Sequence, residues 1–130
     1  MSETLAVDLG SGPKPANPFH ADQVIGIDAH SSGSDVISCW IGLEPLPLES
    51  SSVDVVTAFD FLEHLPRAIW RDGAVVNPFI DTMSEVWRIL KPQGLFLART
   101  PAYPHPEAFQ DPTHVNVITD TTVSYFARRP

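Results

Sequence analysis

The sequence has 130 residues, 43% of them hydrophobic and 18% charged, which excludes intrinsic disorder and fits one domain, residues 1–130, with a single core. Eight basic against sixteen acidic residues give a formal charge of −8, which repels phosphate backbones and argues against a nucleic-acid partner. A lone cysteine, Cys39, excludes an internal disulfide, no run is long enough to span a membrane, and the N-terminus lacks the features of a signal peptide, so a soluble cytoplasmic protein is expected.

Leu5 to Asp8 reads as a first strand, apolar and closed by an acid, that runs directly into the turn Gly10-Ser11-Gly12. Residues without a Cβ let a backbone approach a ligand closely, so this turn is the expected seat of a nucleotide-like cofactor. Gly10 to Pro18 is turn material, with room for one helical turn around Ala16 to Ala21. Val24 to Asp28 repeats the pattern of an apolar strand closed by an acid. Asp28 lies 20 residues beyond Asp8, the offset at which nucleotide-binding α/β domains place a carboxylate for ribose hydroxyls.

Val36 to Ile41 predicts a third strand with Cys39 in its core, and the prolines of Gly42 to Leu48 predict a loop. Val53 to Phe59 is a β-branched fourth strand that ends at a third acid, Asp60. The clearest helix opens at Asn77 as cap and Pro78 as first residue, with Phe79, Ile80, Met83, Val86, Trp87 and Leu90 on one stripe. Lys91 to Gly94 stops it. Leu95 to Ala98 is a fifth strand, Pro101 to Pro112 a proline-rich loop, and Thr119 the cap of a last short helix running through Val123 to Ala127. This alternation predicts an α/β fold with a mostly parallel sheet, and places Asp8, Asp28 and Asp60 together beyond the carboxyl ends of their strands.

With these residues assembled, the chain from about Leu5 to Phe126 resembles the class I S-adenosylmethionine-dependent methyltransferases, in particular the small bacterial branch known as methyltransferase type 11. The resemblance rests on Val7-Asp8-Leu9-Gly10-Ser11-Gly12, Asp28, Leu46-Pro47-Leu48, Ser52-Val53-Asp54-Val55-Val56, Phe61-Leu62-Glu63-His64-Leu65 and Val86-Trp87-Arg88-Ile89-Leu90-Lys91-Pro92-Gln93-Gly94-Leu95, in that order. It implies a Rossmann-like sheet of about five strands with flanking helices, lacking the family's C-terminal antiparallel hairpin. It also implies S-adenosylmethionine as cofactor and methyl transfer to an oxygen or nitrogen atom of a small molecule. Gly10, Ser11 and Gly12 would carry the methionine end of the cofactor and Asp8 its ammonium. Asp28 would bind the ribose, Leu43 and Leu46 the adenine, and Phe59 and Asp60 would stand where cofactor and acceptor meet. Gly42 occupies a position where relatives commonly have an acid for the adenine amino group, which leaves that task to backbone groups and Glu44.

The residues expected to act on the acceptor are Asp60, His64 and His114, the two histidines as candidate bases in loops that overhang the cleft. Asp60-x-x-Glu63-His64 is similar to the metal-associated segment of some ubiquinone-pathway O-methyltransferases and has ligand types that suit a divalent cation, but adjacent Glu63 and His64 are expected to point apart, so a metal-free site is preferred. Pro66 to Val76 is expected to form a lid or substrate wall, with Trp70 a candidate pocket residue and Trp40 and Trp87 core anchors. His20, His30 and His105 read as solvated. The fourth or fifth strand is expected to leave an unpaired edge that a homodimer would cover. The competing reading is a shortened, non-catalytic cofactor-binding or partner-binding domain.

Overall fold

The computed structural model describes residues 3–127. Seven strands and two helices follow one another as β1 (Leu5–Leu9), β2 (Gln23–Ile27), β3 (Val36–Ile37), β4 (Val53–Phe59), β5 (Ile69–Arg71), β6 (Ala74–Val76), α1 (Pro78–Ile89), β7 (Leu90–Arg99) and α2 (Glu107–Gln110). Five strands form a wholly parallel sheet in the order β3-β2-β1-β4-β7, while β5 and β6 make a separate antiparallel hairpin. Leu9 stands opposite both Ile27 and Ala58, so β1, β2 and β4 finish level and deliver Gly10, Asp28 and Asp60 to one edge. The expected Rossmann-like α/β sheet is therefore present. Among the described residues no helix is long and apolar enough to cross a membrane.

The core is built where the apolar strands meet α1. Val7, Leu9, Ile27, Val56 and Ala58 pack with Phe79, Met83, Val86 and Ile89. The buried stripe of α1 differs from the expected one: Ile80 is half exposed and Trp87 is 80% exposed, because the sheet covers only the face that carries Phe79, Thr82, Met83, Val86 and Ile89. Trp40 at 52% and Trp70 at 73% exposure are likewise surface residues, not anchors. Asn77 precedes α1 without a capping bond from its side chain. Pro78 has no N–H to satisfy, and the next one, on Phe79, donates to the Pro66 carbonyl at 3.0 Å.

Other boundaries shift for local reasons. The third strand stops at Ile37 because the following backbone bonds to itself, Ile41 N–H to the Cys39 carbonyl and Leu43 and Glu44 N–H to the Trp40 carbonyl. Cys39 is thus a buried loop thiol. The helical turn expected at Ala16 to Ala21 is absent, since the Asn17 side chain both accepts from Ala21 N–H at 2.9 Å and donates to its carbonyl at 3.0 Å. Lys91 to Gly94 does end α1, yet as a bulge inside β7, with Leu90 opposite Val53 and Leu95 opposite Val55. The Pro101 to Pro112 loop contains α2. The last helix shortens to a 3₁₀ turn at Thr122–Tyr125, closed by reciprocal bonds between Thr119 and Thr122. The sheet edges are β3 and β7, so the fourth strand is not an edge.

Two charged clamps hold the frame. The Asp54 carboxylate accepts from Leu5 N–H at 2.8 Å and from Lys91 Nζ at 3.2 Å, which ties β1, β4 and β7 together. Glu85 accepts from Leu46 N–H at 2.7 Å while Arg88 donates to the Leu46 and Leu48 carbonyls at 3.0 and 2.9 Å. The proline-rich loop thus gains from α1 the hydrogen bonds that a regular element would have supplied. Arg88→Ala is expected to destabilise the fold by about 1.5–3 kcal/mol in urea unfolding, the usual worth of bonds from a charged donor.

The Leu5 N–H holds Asp54 below its ordinary pKa, and the Arg88 guanidinium does the same for Glu85. Their contribution is therefore complete above the unfolded carboxylate values of about 4 and is lost as pH falls through the lower folded values. Unfolding free energies measured at stepped pH should decline from about pH 5 downward, less steeply in Glu85→Gln. An unchanged acid slope in that variant would remove Glu85 from the account.

Candidate functional site

The glycine turn is shaped by Asp8. Its carboxylate is buried and divides its acceptors, one oxygen taking the Thr57 hydroxyl at 2.8 Å and the other Ala16 N–H at 2.8 Å. Burial pushes its pKa up, against the pull of Ala16 N–H and the Thr57 hydroxyl. Asp8 therefore fastens β1 to β4 and draws the turn back over the sheet.

Gly10 then leaves β1 at φ +65°, and its N–H donates to the Ile27 carbonyl at 2.8 Å. A Cβ here would run into the Phe61 ring, which packs directly against the glycine. Gly12, also at φ +65°, donates its N–H to Asp28 at 2.9 Å. The Ser11 hydroxyl donates to the Gly12 carbonyl at 2.8 Å. The other Asp28 oxygen accepts from His30 N–H at 2.7 Å, and because each carboxylate oxygen accepts more than one bond, capacity remains toward the cleft.

Beyond these strand ends lies a cleft of about 580 Å³ whose lining includes Gly10, Asp28, Leu43, Asp60 and His64. Its size is in the range of small-molecule and cofactor sites. Because β1 lies between β2 and β4, Gly10 stands between Asp28 on one side and Asp60 on the other. Asp60 sits at φ +54° and pairs with Arg99 at 3.0 Å on the exposed rim. His64 borders the cleft and its Nδ1 lies 3.1 Å from the Thr113 hydroxyl.

Several expected site residues are placed elsewhere. Leu46 is in the core, since the Arg88 and Glu85 clamp turns its side chain inward, and Ile41 joins Leu43 in the cleft wall instead. Phe59 lies under the Arg99 guanidinium, 5.1 Å from ring centroid, and is not in the lining. Glu44 accepts from Trp40 N–H at 3.0 Å through one oxygen and is not in the lining. Gly42 has its own reason: at φ +90° its backbone presses on Pro78, and a Cβ would come within 2.8 Å of the Pro78 Cβ, which leaves no room for an acid. Trp70 faces solvent on the β5–β6 hairpin, while Ile69 beside it reaches the cleft.

His30 is a lining residue and meets Trp40 edge-on at 5.0 Å, so its reading as a solvated loop histidine omitted the cleft. Phe61, Cys39 and Thr113 were also missed as lining. For Phe61 the signal was its place directly after Asp60, whereas nothing in the sequence marks the others. His114 does not line the cleft but packs edge-on behind His64 at 4.8 Å. Glu63 and His64 do not point apart. The 3₁₀ turn at Leu62–His64 brings both to His114, correcting that expectation.

The family profile described as a methyltransferase domain, Methyltransf_11, matches residues 7–98. The chain therefore belongs to this methyltransferase-domain family. It is similar to a probable S-adenosylmethionine-dependent methyltransferase of Mycolicibacterium smegmatis, at 42% identity over 59 residues, 45% of this chain and 19% of that protein. Among solved structures it is similar to the YcgJ protein of Bacillus subtilis, with TM-score 0.70, 20% identity and coverage of 95% of this chain and 59% of that one. A S-adenosylmethionine-dependent methyltransferase of Archaeoglobus fulgidus shares the fold at TM-score 0.65 and 15% identity, covering 95% and 58%. The chain thus spans under two thirds of the length of these proteins. The cofactor that the family and these relatives imply is S-adenosylmethionine.

Gly10→Ala is expected to lower stability by about 1–2 kcal/mol for the left-handed backbone alone, and to displace Phe61 from the cleft wall. Thermal melts together with the fluorescence of an adenosine analogue in the cleft would check this. A variant as stable as the parent would show that neither the left-handed backbone nor the Phe61 contact constrains this position.

Proposed function

We propose that this domain binds S-adenosylmethionine in the cleft and transfers its methyl group to an oxygen or nitrogen atom of a small molecule. The observation that carries the reading is the level ending of β1, β2 and β4, which sets a glycine turn, Asp28 and Asp60 around one cavity. The cofactor supplies an electrophilic methyl on a sulfonium, so the chain's own task is to hold an acceptor atom in line with it. Asp28 accepts the ribose hydroxyls, Gly10 to Gly12 give the methionine end room to pass, and Ile41 and Leu43 flank the adenine.

Asp60 and His64 face the acceptor, and His114 supports His64 from behind. With the cofactor bound, the acceptor's lone pair would form the new bond to the methyl carbon as the carbon–sulfur bond breaks, and the sulfur would keep that electron pair in S-adenosylhomocysteine. A proton on the acceptor oxygen or nitrogen leaves to His64 or to solvent. The reading takes the acceptor to be a small molecule on the strength of the formal charge of −8 and the modest cavity. It takes the protein to be cytoplasmic on its single thiol, and pairing through the β7 edge, where Leu95 and Leu97 are exposed, as the form of a homodimer.

Calorimetric titration with S-adenosylmethionine and S-adenosylhomocysteine tests the reading. Saturable heat is expected with both, and turnover with at least one member of a panel of phenols, acids and amines. Binding without turnover would favour the shortened, non-catalytic domain, and no heat with either ligand would end both readings. Asp28→Ala should weaken cofactor binding by about 1–3 kcal/mol, the cost of losing a charged acceptor. Unchanged affinity would mean that Asp28 is not the ribose ligand.

A further inference from the structure

We infer that Glu63, His64 and His114 hold a divalent transition-metal ion at the acceptor side of the cleft. This rests on the reading above only for what the ion would do there, because the binding itself follows from the three side chains. One ligand atom from each lies within 4.8 Å of the others. Glu63 is almost completely buried, and its Oε1 has no hydrogen-bond partner. Its Oε2 is 4.0 Å from His114 Nε2, too far for a hydrogen bond.

The protons on the two rings can be assigned from their partners. His114 Nδ1 lies 2.8 Å from the Glu107 carbonyl, which can only accept, so Nδ1 carries the proton and the neutral ring keeps a lone pair on Nε2. The Thr113 hydroxyl spends its single hydrogen on Asp111 at 2.7 Å and therefore accepts from His64 Nδ1 at 3.1 Å. The lone pair of His64 is then on Nε2 as well, and an ion held there replaces His64 as a base, which leaves the acceptor's proton to solvent. A buried carboxylate and two imidazoles thus come together with no hydrogen bond among the three side chains, the arrangement that a cation between them would satisfy.

Two imidazoles and one carboxylate form a donor set that suits zinc and its neighbours, whereas magnesium and calcium favour oxygen throughout. The Glu107 carbonyl and the Thr113 hydroxyl fix the far nitrogens of the two rings, as outer-shell groups do around metal-bound histidines. Asp111 Oδ2, 3.7 Å from His114 Nε2, offers a second carboxylate at the rim. Three protein ligands leave a coordination position open. Because His64 and Thr113 border the cleft, that position favours an acceptor with an oxygen donor over a protonated amine, which has no lone pair to give.

The test is calorimetric titration of chelator-treated, dialysed protein with zinc chloride, with metal analysis of the product. One ion per chain is expected. Affinity should fall by about tenfold or more in His64→Ala, Glu63→Gln and His114→Ala, and remain unchanged in His20→Ala, which removes an exposed histidine far along the chain. His64 is exposed, so its removal leaves the fold intact by circular dichroism even where the buried positions do not tolerate change. No saturable zinc binding, or equal affinity in His64→Ala and the parent, would overturn the inference, as would an equal loss in His20→Ala. S-adenosylhomocysteine titrated separately keeps the two proposals apart: cofactor heat without zinc binding removes only the ion, and zinc binding without cofactor heat removes only the methyl-transfer reading.

Discussion

A carboxylate buried in a sheet costs free energy unless both oxygens are occupied, and the cleft of this protein is arranged around one that is. Asp8 accepts from the Thr57 hydroxyl on β4 and from Ala16 N–H on the far limb of the glycine turn. The first bond fixes the lateral position of β1 against β4, and the second folds the turn back so that Gly10 and Gly12 lie over the sheet edge. Gly12 N–H then reaches Asp28 on the neighbouring strand. A chain of three bonds thus runs across β4, β1 and β2, and each link orients the next. Replacing Asp8 would leave a buried hydroxyl and an unpaired N–H, and would release the turn on which the cofactor side depends.

The remaining walls are loops, and they are held by charge where regular structure is missing. Ile41 and Leu43 belong to a segment whose prolines prevent strand pairing. Its order comes from α1, through Glu85 to Leu46 N–H and Arg88 to two carbonyls. The exposed positions of α1 are therefore not idle: while Val86 and Ile89 bury one face in the core, Glu85 and Arg88 on the flank secure a loop that the core does not reach. The run Val86 to Leu95 combines both functions with the bulge that reverses the chain into β7.

These arrangements also explain what could be read from the sequence. Strands buried on both faces leave unbroken apolar runs, and the acids Asp28 and Asp60 directly after β2 and β4 mark where those strands end, so β1, β2, β4 and the convergence of Asp28 and Asp60 were legible. The role of Asp8 was not, because its partners are a backbone N–H and a threonine on another strand, and neither leaves a pattern. Leu46 was misplaced for a similar reason: its inward turn is imposed by backbone bonds to Glu85 and Arg88. A stripe at helical spacing took in Ile80 and Trp87, since periodicity gives the width of an apolar arc but not how much of it the sheet covers. The meeting of Glu63 with His114 lay beyond reach because it joins residues far apart through a turn only three residues long.

That turn also divides the cleft into two halves of different construction. In the half around the glycine turn the contacts run between strands, the loops that leave them directly and, through Glu85 and Arg88, α1. In the other half the parts come from separate excursions after β4 and β7, joined by Asn116, whose buried amide donates to the Leu62 carbonyl at 3.0 Å and accepts from Arg67 Nε at 2.6 Å. Val115 and Asn116 N–H add bonds to the Glu63 carbonyl at 2.9 and 3.1 Å. Because this second half is tied to itself and only lightly to the glycine turn, its loops can change in length and composition without disturbing Asp8, Gly12 or Asp28. The half around the Leu62–His64 turn is thereby separated physically from the half around the glycine turn, with Phe61, against Gly10 on one side and the Leu62–His64 turn on the other, as the contact between them.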